Sequence, residues 1–344
     1  MRTLSSTLLL LLLASPAVAA VPFDAGTLLA PLAGGFGGAA GDMDGDGDID
    51  LVIADQAADT LFLFDNDGSW TQTAIASIDA PREVELADFN RDGALDIVIA
   101  AQGSVDDVIV YLNDGTGGFP ATGTVVGSPN NPDAVSVFDL QGDGDMDILY
   151  DSGAGPVRVA RNDGPGAGWA TSGDVLAGNN STDSAFGDID GDGTPDAIVV
   201  QYGSGEVHWH DPTNNWAWNN IATGLSGAYS VAPLDADRDG QLDLLVAHRN
   251  PSAGSNFVTL LTNELDTGAS WTQTDAGTPA TSNARFISPG DLDNDGWDDA
   301  ILATQGGAIY TLHNQGGTFE SQLLDSIPGS RTPLLADVDG DGDL

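Results

Sequence analysis

The chain has no cysteine and no lysine: its 9 basic residues are all arginine, set against 52 acidic ones. No disulfide can brace it, and no thiol can carry a lipid or hold a soft metal. The formal net charge is −43 over 344 residues. Clustered Lys and Arg, which neutralise phosphates, are therefore missing, and nucleic acid is excluded as a partner. An anionic membrane surface would repel the chain for the same reason. Long apolar runs are scarce too. The run from Leu8 to Leu13 is too short to span a bilayer, and nothing later approaches the length needed. Arg2 precedes it and Ala17-Val18-Ala19 follows. Residues 1–19 thus read as a secretory signal peptide, leaving residues 20–344 as the exported chain.

What the sequence has in excess is aspartate and glycine, in one recurring pattern. Residues 41–54 read Gly-Asp-Met-Asp-Gly-Asp-Gly-Asp-Ile-Asp-Leu-Val-Ile-Ala. Asp42, Asp44, Asp46 and Asp50 stand at positions 1, 3, 5 and 9 of a loop, with Gly47 at position 6. Two such charges about 4 Å apart repel by on the order of 4 kcal/mol at an effective dielectric near 20. A closed loop of four carboxylates is strongly disfavoured unless a hard cation cancels the repulsion. All-oxygen donors on a flexible loop favour Ca²⁺ over Mg²⁺.

The loop begins again at Asp88, Asp139, Asp188, Asp235, Asp291 and Asp337, at intervals of 46 to 56 residues. Each unit has a short lead-in strand, the acidic loop, an apolar strand, and an alternating strand. A turn such as Asn113-Asp114-Gly115 follows, then an aromatic residue and a short polar strand. Asn-Asp-Gly turns supply the positive φ angles of tight hairpins. With 41% hydrophobic residues in short regular runs, the chain reads as folded despite its acidity. Four strands per unit and no helix predict an all-β, seven-bladed β-propeller of four-stranded blades. The last blade is expected to be incomplete, because Leu344 falls one residue before position 9 of the seventh loop. The sequence then reads as part of a longer protein, with residues 23–29 closing the ring in the last blade. An EF-hand is excluded: it needs a Glu at position 12 and flanking helices. Position 12 here is Ile53, Ile99, Tyr150, Val199 and Val246 in the first five loops.

The pattern Asp-x-Asp-x-Asp-Gly-x-x-Asp before an apolar strand resembles the FG-GAP and VCBS repeats of integrin α-subunit-like propellers. Gly35-Phe36-Gly37-Gly38-Ala39-Ala40-Gly41-Asp42 and Tyr111-Leu112-Asn113-Asp114-Gly115-Thr116-Gly117-Gly118-Phe119 match the flanking motifs. The resemblance covers essentially the whole exported chain. It implies a Ca²⁺ ion in each loop, held by the side chains at positions 1, 3, 5 and 9 and by the carbonyl at position 7. Carried onto this sequence, the sites are Asp42, Asp44, Asp46, Asp48 and Asp50; Asp88, Asn90, Asp92, Ala94 and Asp96; and Asp139, Gln141, Asp143, Asp145 and Asp147. They continue as Asp188, Asp190, Asp192, Thr194 and Asp196; Asp235, Asp237, Asp239, Gln241 and Asp243; and Asp291, Asp293, Asp295, Trp297 and Asp299. The seventh has Asp337, Asp339, Asp341 and Asp343. Gln141 makes the third site the weakest of the complete loops, and the seventh lacks position 9.

Other candidates have plainer readings beside the functional one. Trp70, Trp169 and Trp271 follow the turn where Phe119 and Phe319 stand in other repeats, which favours blade packing over sugar stacking. His208 and His210 project from one face of a strand near Trp216 and Trp218. A transition-metal pair, an aromatic ligand platform and ordinary packing all fit, packing best. Residues 250–256 suggest an extended surface loop. No GxSxG elbow, HExxH, P-loop or dinucleotide fingerprint occurs. The resemblance implies an extracellular recognition or adhesion module for a protein or glycan ligand. The alternatives are the propeller of an extracellular polysaccharide lyase or hydrolase, and a structural surface module.

Overall fold

Each unbroken apolar run after an acidic loop forms a strand buried along its whole length. In the computed structural model these second strands are Asp50–Asp55, Asp96–Ala101, Asp147–Tyr150, Asp196–Gln201, Asp243–His248 and Asp299–Thr304, with no exposed position in any. The structure describes residues 7–11, 27–104, 106–153, 155–176, 180–252, 257–265, 267–277, 283–327, 331–340, 342 and 344. A first strand precedes each: Gly35–Gly41, Pro81–Ala87, Val135–Phe138, Ser181–Gly187, Ala228–Leu234 and Ala284–Gly290. The third strands are Thr60–Asp65, Asp107–Tyr111, Val157–Asn162, Glu206–Asp211, Val258–Asn263 and Ala308–Asn314. The fourth are Thr71–Ser77, Thr124–Gly127, Trp169–Leu176, Ala217–Ala222, Trp271–Asp275 and Phe319–Ser326. Each set of four pairs in chain order as one sheet, or blade. Fourth strands such as Thr71–Ser77 are polar and exposed, as suits a sheet edge.

The chain divides into two compact units, the first holding blades one to three and the second blades four to six. The period-2 alternation of a strand explains why its second strands are apolar throughout. In the first unit, Val52, Ala54, Leu61 and Leu63 of blade one pack on Val84, Ile97, Ile99 and Ala101 of blade two. The opposite face of blade two, with Val98, Ala100, Val108 and Val110, meets Val135, Ile148, Tyr150 and Ala160 of blade three. In the second unit, Ile198, Val200, Val207 and Trp209 of blade four meet Val231, Leu244, Val246 and Leu261 of blade five. Leu245, Ala247, Val258 and Leu260 then carry the core on to Ala284, Ala300 and Leu302 of blade six. Each such side chain contributes roughly 1.5–3 kcal/mol by leaving water.

The expected seven blades are corrected to six. Counting loops overcounts, because a blade is built around its buried second strand. No strand occurs among the described residues after Ser326, so the loop beginning at Asp337 has no sheet of its own. Asp341 and Asp343 lie outside the described residues. So does most of the signal-peptide segment, of which Thr7–Leu11 is described and pairs with Thr27–Leu32. The segment expected to close the last blade therefore pairs elsewhere in its described part, and residues 23–26 lie outside it. Among the described residues no helix is long and apolar enough to cross a membrane.

Candidate metal centres

First and second strands are joined by the same eight residues in every blade. Positions 4 and 6 of each loop are both left-handed, as in Gly45 and Gly47 (φ 81° and 98°) or Arg91 and Gly93 (59° and 92°). Glycine adopts this backbone without strain, and it stands at position 6 in all six loops. The double turn aims main-chain amides inward. The amide of position 6 donates to the position-1 carboxylate, from Gly47 to Asp42 at 3.1 Å through Gly296 to Asp291 at 2.8 Å. The amide of position 7 (Asp48, Ala94, Asp145, Thr194, Gln241 and Trp297) donates to the carboxylate at position 5 at 2.7–3.0 Å.

The position-9 aspartates begin the second strands and are almost fully buried. One oxygen of each accepts the amide of position 2, from Met43 to Asp50 at 2.8 Å through Leu292 to Asp299 at 3.2 Å. The other accepts the amide of the Asn that ends or follows the third strand: Asn66, Asn113, Asn162, Asn263 and Asn314, at 2.7–2.8 Å. These asparagines also clasp the preceding loop through its position-2 carbonyl. Asn113 donates to Met43 at 2.6 Å, Asn162 to Phe89 at 2.8 Å, Asn263 to Ile189 at 3.0 Å and Asn314 to Ala236 at 2.8 Å. Asn66 likewise donates to Val338 in the seventh loop, at 3.1 Å. Blade four has Asp211 at this place, and a carboxylate offers no such donor.

Burial dominates the electrostatics of position 9. It pushes Asp96 and Asp147 up to about 6, Asp243 to about 7 and Asp196 to about 8, against the pull of the donated amides. Asp196 rises furthest where only the Ile189 amide is donated to it. Asp50 is raised by the same cause.

The loops differ in what they gather. Carboxylate oxygens lie within 4.8 Å of one another in Asp42, Asp44 and Asp50; in Asp188, Asp190 and Asp196; in Asp235, Asp237 and Asp239; and in Asp291, Asp293 and Asp295. Asp188 Oδ1 is buried without a hydrogen-bond partner, as is Oδ1 of Asp65, whose carboxyl is raised by burial and by Asp44 and Asp46. Clustered carboxylates with unpartnered buried oxygens fit a hard divalent cation. Among the described residues, loops two and three gather no such trio of acids. In loop two, the Asn90 amide turns to Asp92 Oδ2 at 2.9 Å. In loop three, a guanidinium stands against the acids. Arg91, from position 4 of loop two, pairs with Asp145 at 2.7 Å and donates to the Asp143 carbonyl, and to that of Gly144 at 3.1 Å. Arg238 does the same from loop five, donating to the Asp295 carbonyl at 3.0 Å with its guanidinium 3.9 Å from the Trp297 ring centre. In loop seven, Asp337 accepts the Gly340 amide at 2.8 Å.

The sequence reading missed four kinds of residue here. The clasping asparagines were read as turn formers, and Arg91 and Arg238 stood at a position where most loops have glycine. Asp65 and His313 precede the asparagine of the third strand, and no local spacing links them to a loop some fifteen residues earlier. His313 Nδ1 lies 3.6 Å from Asp299 Oδ2 and 3.8 Å from Asp293 Oδ2.

The tryptophans after the turn include two packing residues. Trp169 meets Phe89 edge to face at 5.5 Å, and Trp271 packs on the core between blades four and five. Trp70 has φ 41° and is half-buried. His208 is buried and stacks on Trp218 at 3.7 Å, with its imidazole pushed down to about 3 by burial. His210 turns Nδ1 to the Trp216 carbonyl at 3.2 Å. Of the expected loop at 250–256, residues 253–256 lie outside the described residues.

Four-stranded blades, each with an acidic loop between its first two strands, define a β-propeller repeat protein. The FG-GAP-like repeat family matches residues 42–99, 88–150, 188–246 and 291–344, more than half of the chain, and the chain belongs to that family. No curated protein matches it. Among solved structures it is similar to virginiamycin B lyase from Staphylococcus aureus, at 13% identity over 87% of each chain and a TM-score of 0.59. It is also similar to BBS1N, solved in complex with ARL6DN, at 13% identity over 83% of this chain and 81% of that one, TM-score 0.57. The computationally designed Ika8 protein is similar at 11% identity over 97% and 92%, TM-score 0.57. At these identities the likeness is one of fold.

Proposed function

We propose that this protein is an exported, calcium-stabilised β-propeller that acts outside the cell as a recognition module for a protein or glycan ligand. Calcium is held by the carboxylates of loops one, four and five, with loop six as a fourth cation site. The observation that carries the reading is a contrast within the chain. The acidic connection has eight residues in every blade, whereas the connection from second to third strand runs from three residues (305–307) to nine (249–257). The connection from fourth to first strand varies as well, from three residues (78–80) to eight (276–283). A constant, cation-binding end with variable loops elsewhere is the arrangement of a scaffold that displays binding loops. Export suits the ion, since extracellular calcium modules work at affinities near 10⁻⁴–10⁻³ M. A survey of glycan and surface-protein binding with Ca²⁺ and with EGTA tests the reading. Calcium-dependent capture of one ligand class is expected. Binding to none of them in calcium counts against it.

A further inference from the structure

Five of the six loops offer oxygen alone, whereas the sixth has an imidazole beside it. The residue before the clasping asparagine, or before Asp211 in blade four, is Asp65, Leu112, Arg161, His210, Thr262 and His313 in blades one to six. Two of these are histidines, and they differ in aim. His210 turns its Nδ1 to a main-chain carbonyl. His313 instead turns Nδ1 to the carboxylates of loop six, and one donor atom from each of Asp293, Asp299 and His313 lies within 4.8 Å of the other two.

The separations themselves point to a shared ion. At 3.6 and 3.8 Å, His313 Nδ1 is too far from Asp299 and Asp293 for hydrogen bonds. Two ligands each about 2.1 Å from a tetrahedral zinc ion stand about 3.4 Å apart. The donors come from three places in blade six: position 3 of the loop, the start of the second strand and the end of the third. Asp299 is buried and fixed by the amides of Leu292 and Asn314. Asp293 and His313 are 31% and 25% exposed, which leaves an open side for entry and for water ligands. On the far side of the loop, the Arg238 guanidinium already lies against position 5 and Trp297. That positive charge lowers the attraction for a hard cation held by charge alone, and imidazole adds a donor that calcium has little use for.

We propose that loop six is a mixed nitrogen–oxygen site for a borderline transition ion such as Zn²⁺, taken in preference to Ca²⁺, with His313, Asp293 and Asp299 as its protein ligands. The inference rests on the reading of the acidic loops as cation sites, and its test separates the two. The full chain, stripped with chelator and refilled with excess Ca²⁺, is given one equivalent of Cu²⁺ and examined by electron paramagnetic resonance. Nitrogen hyperfine coupling from one imidazole is expected, and its loss in His313→Gln. In parallel, calorimetry in calcium is expected to show one equivalent of Zn²⁺ bound, weakened by about tenfold or more in His313→Gln. Asp293→Asn, which keeps the imidazole, is expected to weaken Zn²⁺ in the same direction and guards against misfolding of the first variant. Oxygen-only copper coupling, or nitrogen coupling that persists in His313→Gln, overturns the proposal and leaves His313 as an ion-pair partner of Asp299. Absence of calcium uptake by the whole chain contradicts the broader reading instead, while a histidine-dependent copper signal still supports this one.

Discussion

Asp196 carries the strongest conflict at the level of single residues. Its carboxyl is buried, receives one main-chain amide and is pushed up to about 8. Asparagine keeps an oxygen for the Ile189 amide and removes the charge. In EGTA at pH 8, Asp196→Asn is therefore expected to melt higher than the parent chain, and in Ca²⁺ to gain less from the ion. Melting curves of both proteins in both buffers check this. Equal shifts in calcium would show that blade four holds no ion. Arg91 makes the opposite case. Its left-handed backbone costs roughly 1–2 kcal/mol, offset by its contacts with Asp145 and the loop-three carbonyls. Arg91→Gly is expected to change stability by no more than about 1 kcal/mol, since exposed pairs contribute little. It should nonetheless tighten calcium binding at loop three, because a competing cation leaves. A calcium titration of the variant reads this directly, and unchanged affinity argues against competition.

The joint between neighbouring blades is the next scale. Asn113 holds the Leu95 carbonyl of its own blade at 3.0 Å and the Met43 carbonyl of blade one. Asn113→Ala strips buried carbonyls of their donor, at a cost of about 1–3 kcal/mol each. A fall in melting temperature and faster amide exchange at Met43 are expected; exchange unchanged there contradicts the clasp. Elements differed in how far the sequence revealed them. Second strands were plain, since a run such as Ile97-Val98-Ile99-Ala100 between an acidic loop and a polar turn has no other stable place than between two sheets. The repeat and its loop ligands were plain for the same reason: their spacing is local. The blade count was not, because Asp337 opens a loop that no buried strand follows, and loops were what the pattern counted. Nor were the asparagine clasps, Asp65 or His313, which act on partners brought close only by strand pairing and by the packing of one blade on the next.

Across the whole molecule the repeated buried aspartates set a pH dependence. Asp96, Asp147, Asp243 and Asp196 all sit above the unfolded carboxyl value near 3.8, so the native state holds its protons more tightly than the unfolded chain. Their contribution is full below about pH 4 and is lost as pH rises through about 6, 7 and 8. In EGTA the melting temperature is thus expected to fall between pH 5 and 8, and saturating Ca²⁺ to flatten that slope by binding the ionised form. Each occupied site adds about 2.7 kcal/mol at a hundredfold excess over its dissociation constant. Calcium calorimetry on the full chain at pH 7.5, read with melting curves in Ca²⁺ and EGTA, tests the central claim most directly. The account predicts uptake of several ions and a melting temperature several degrees higher in calcium. No heat of binding and identical melting in the two buffers would contradict it.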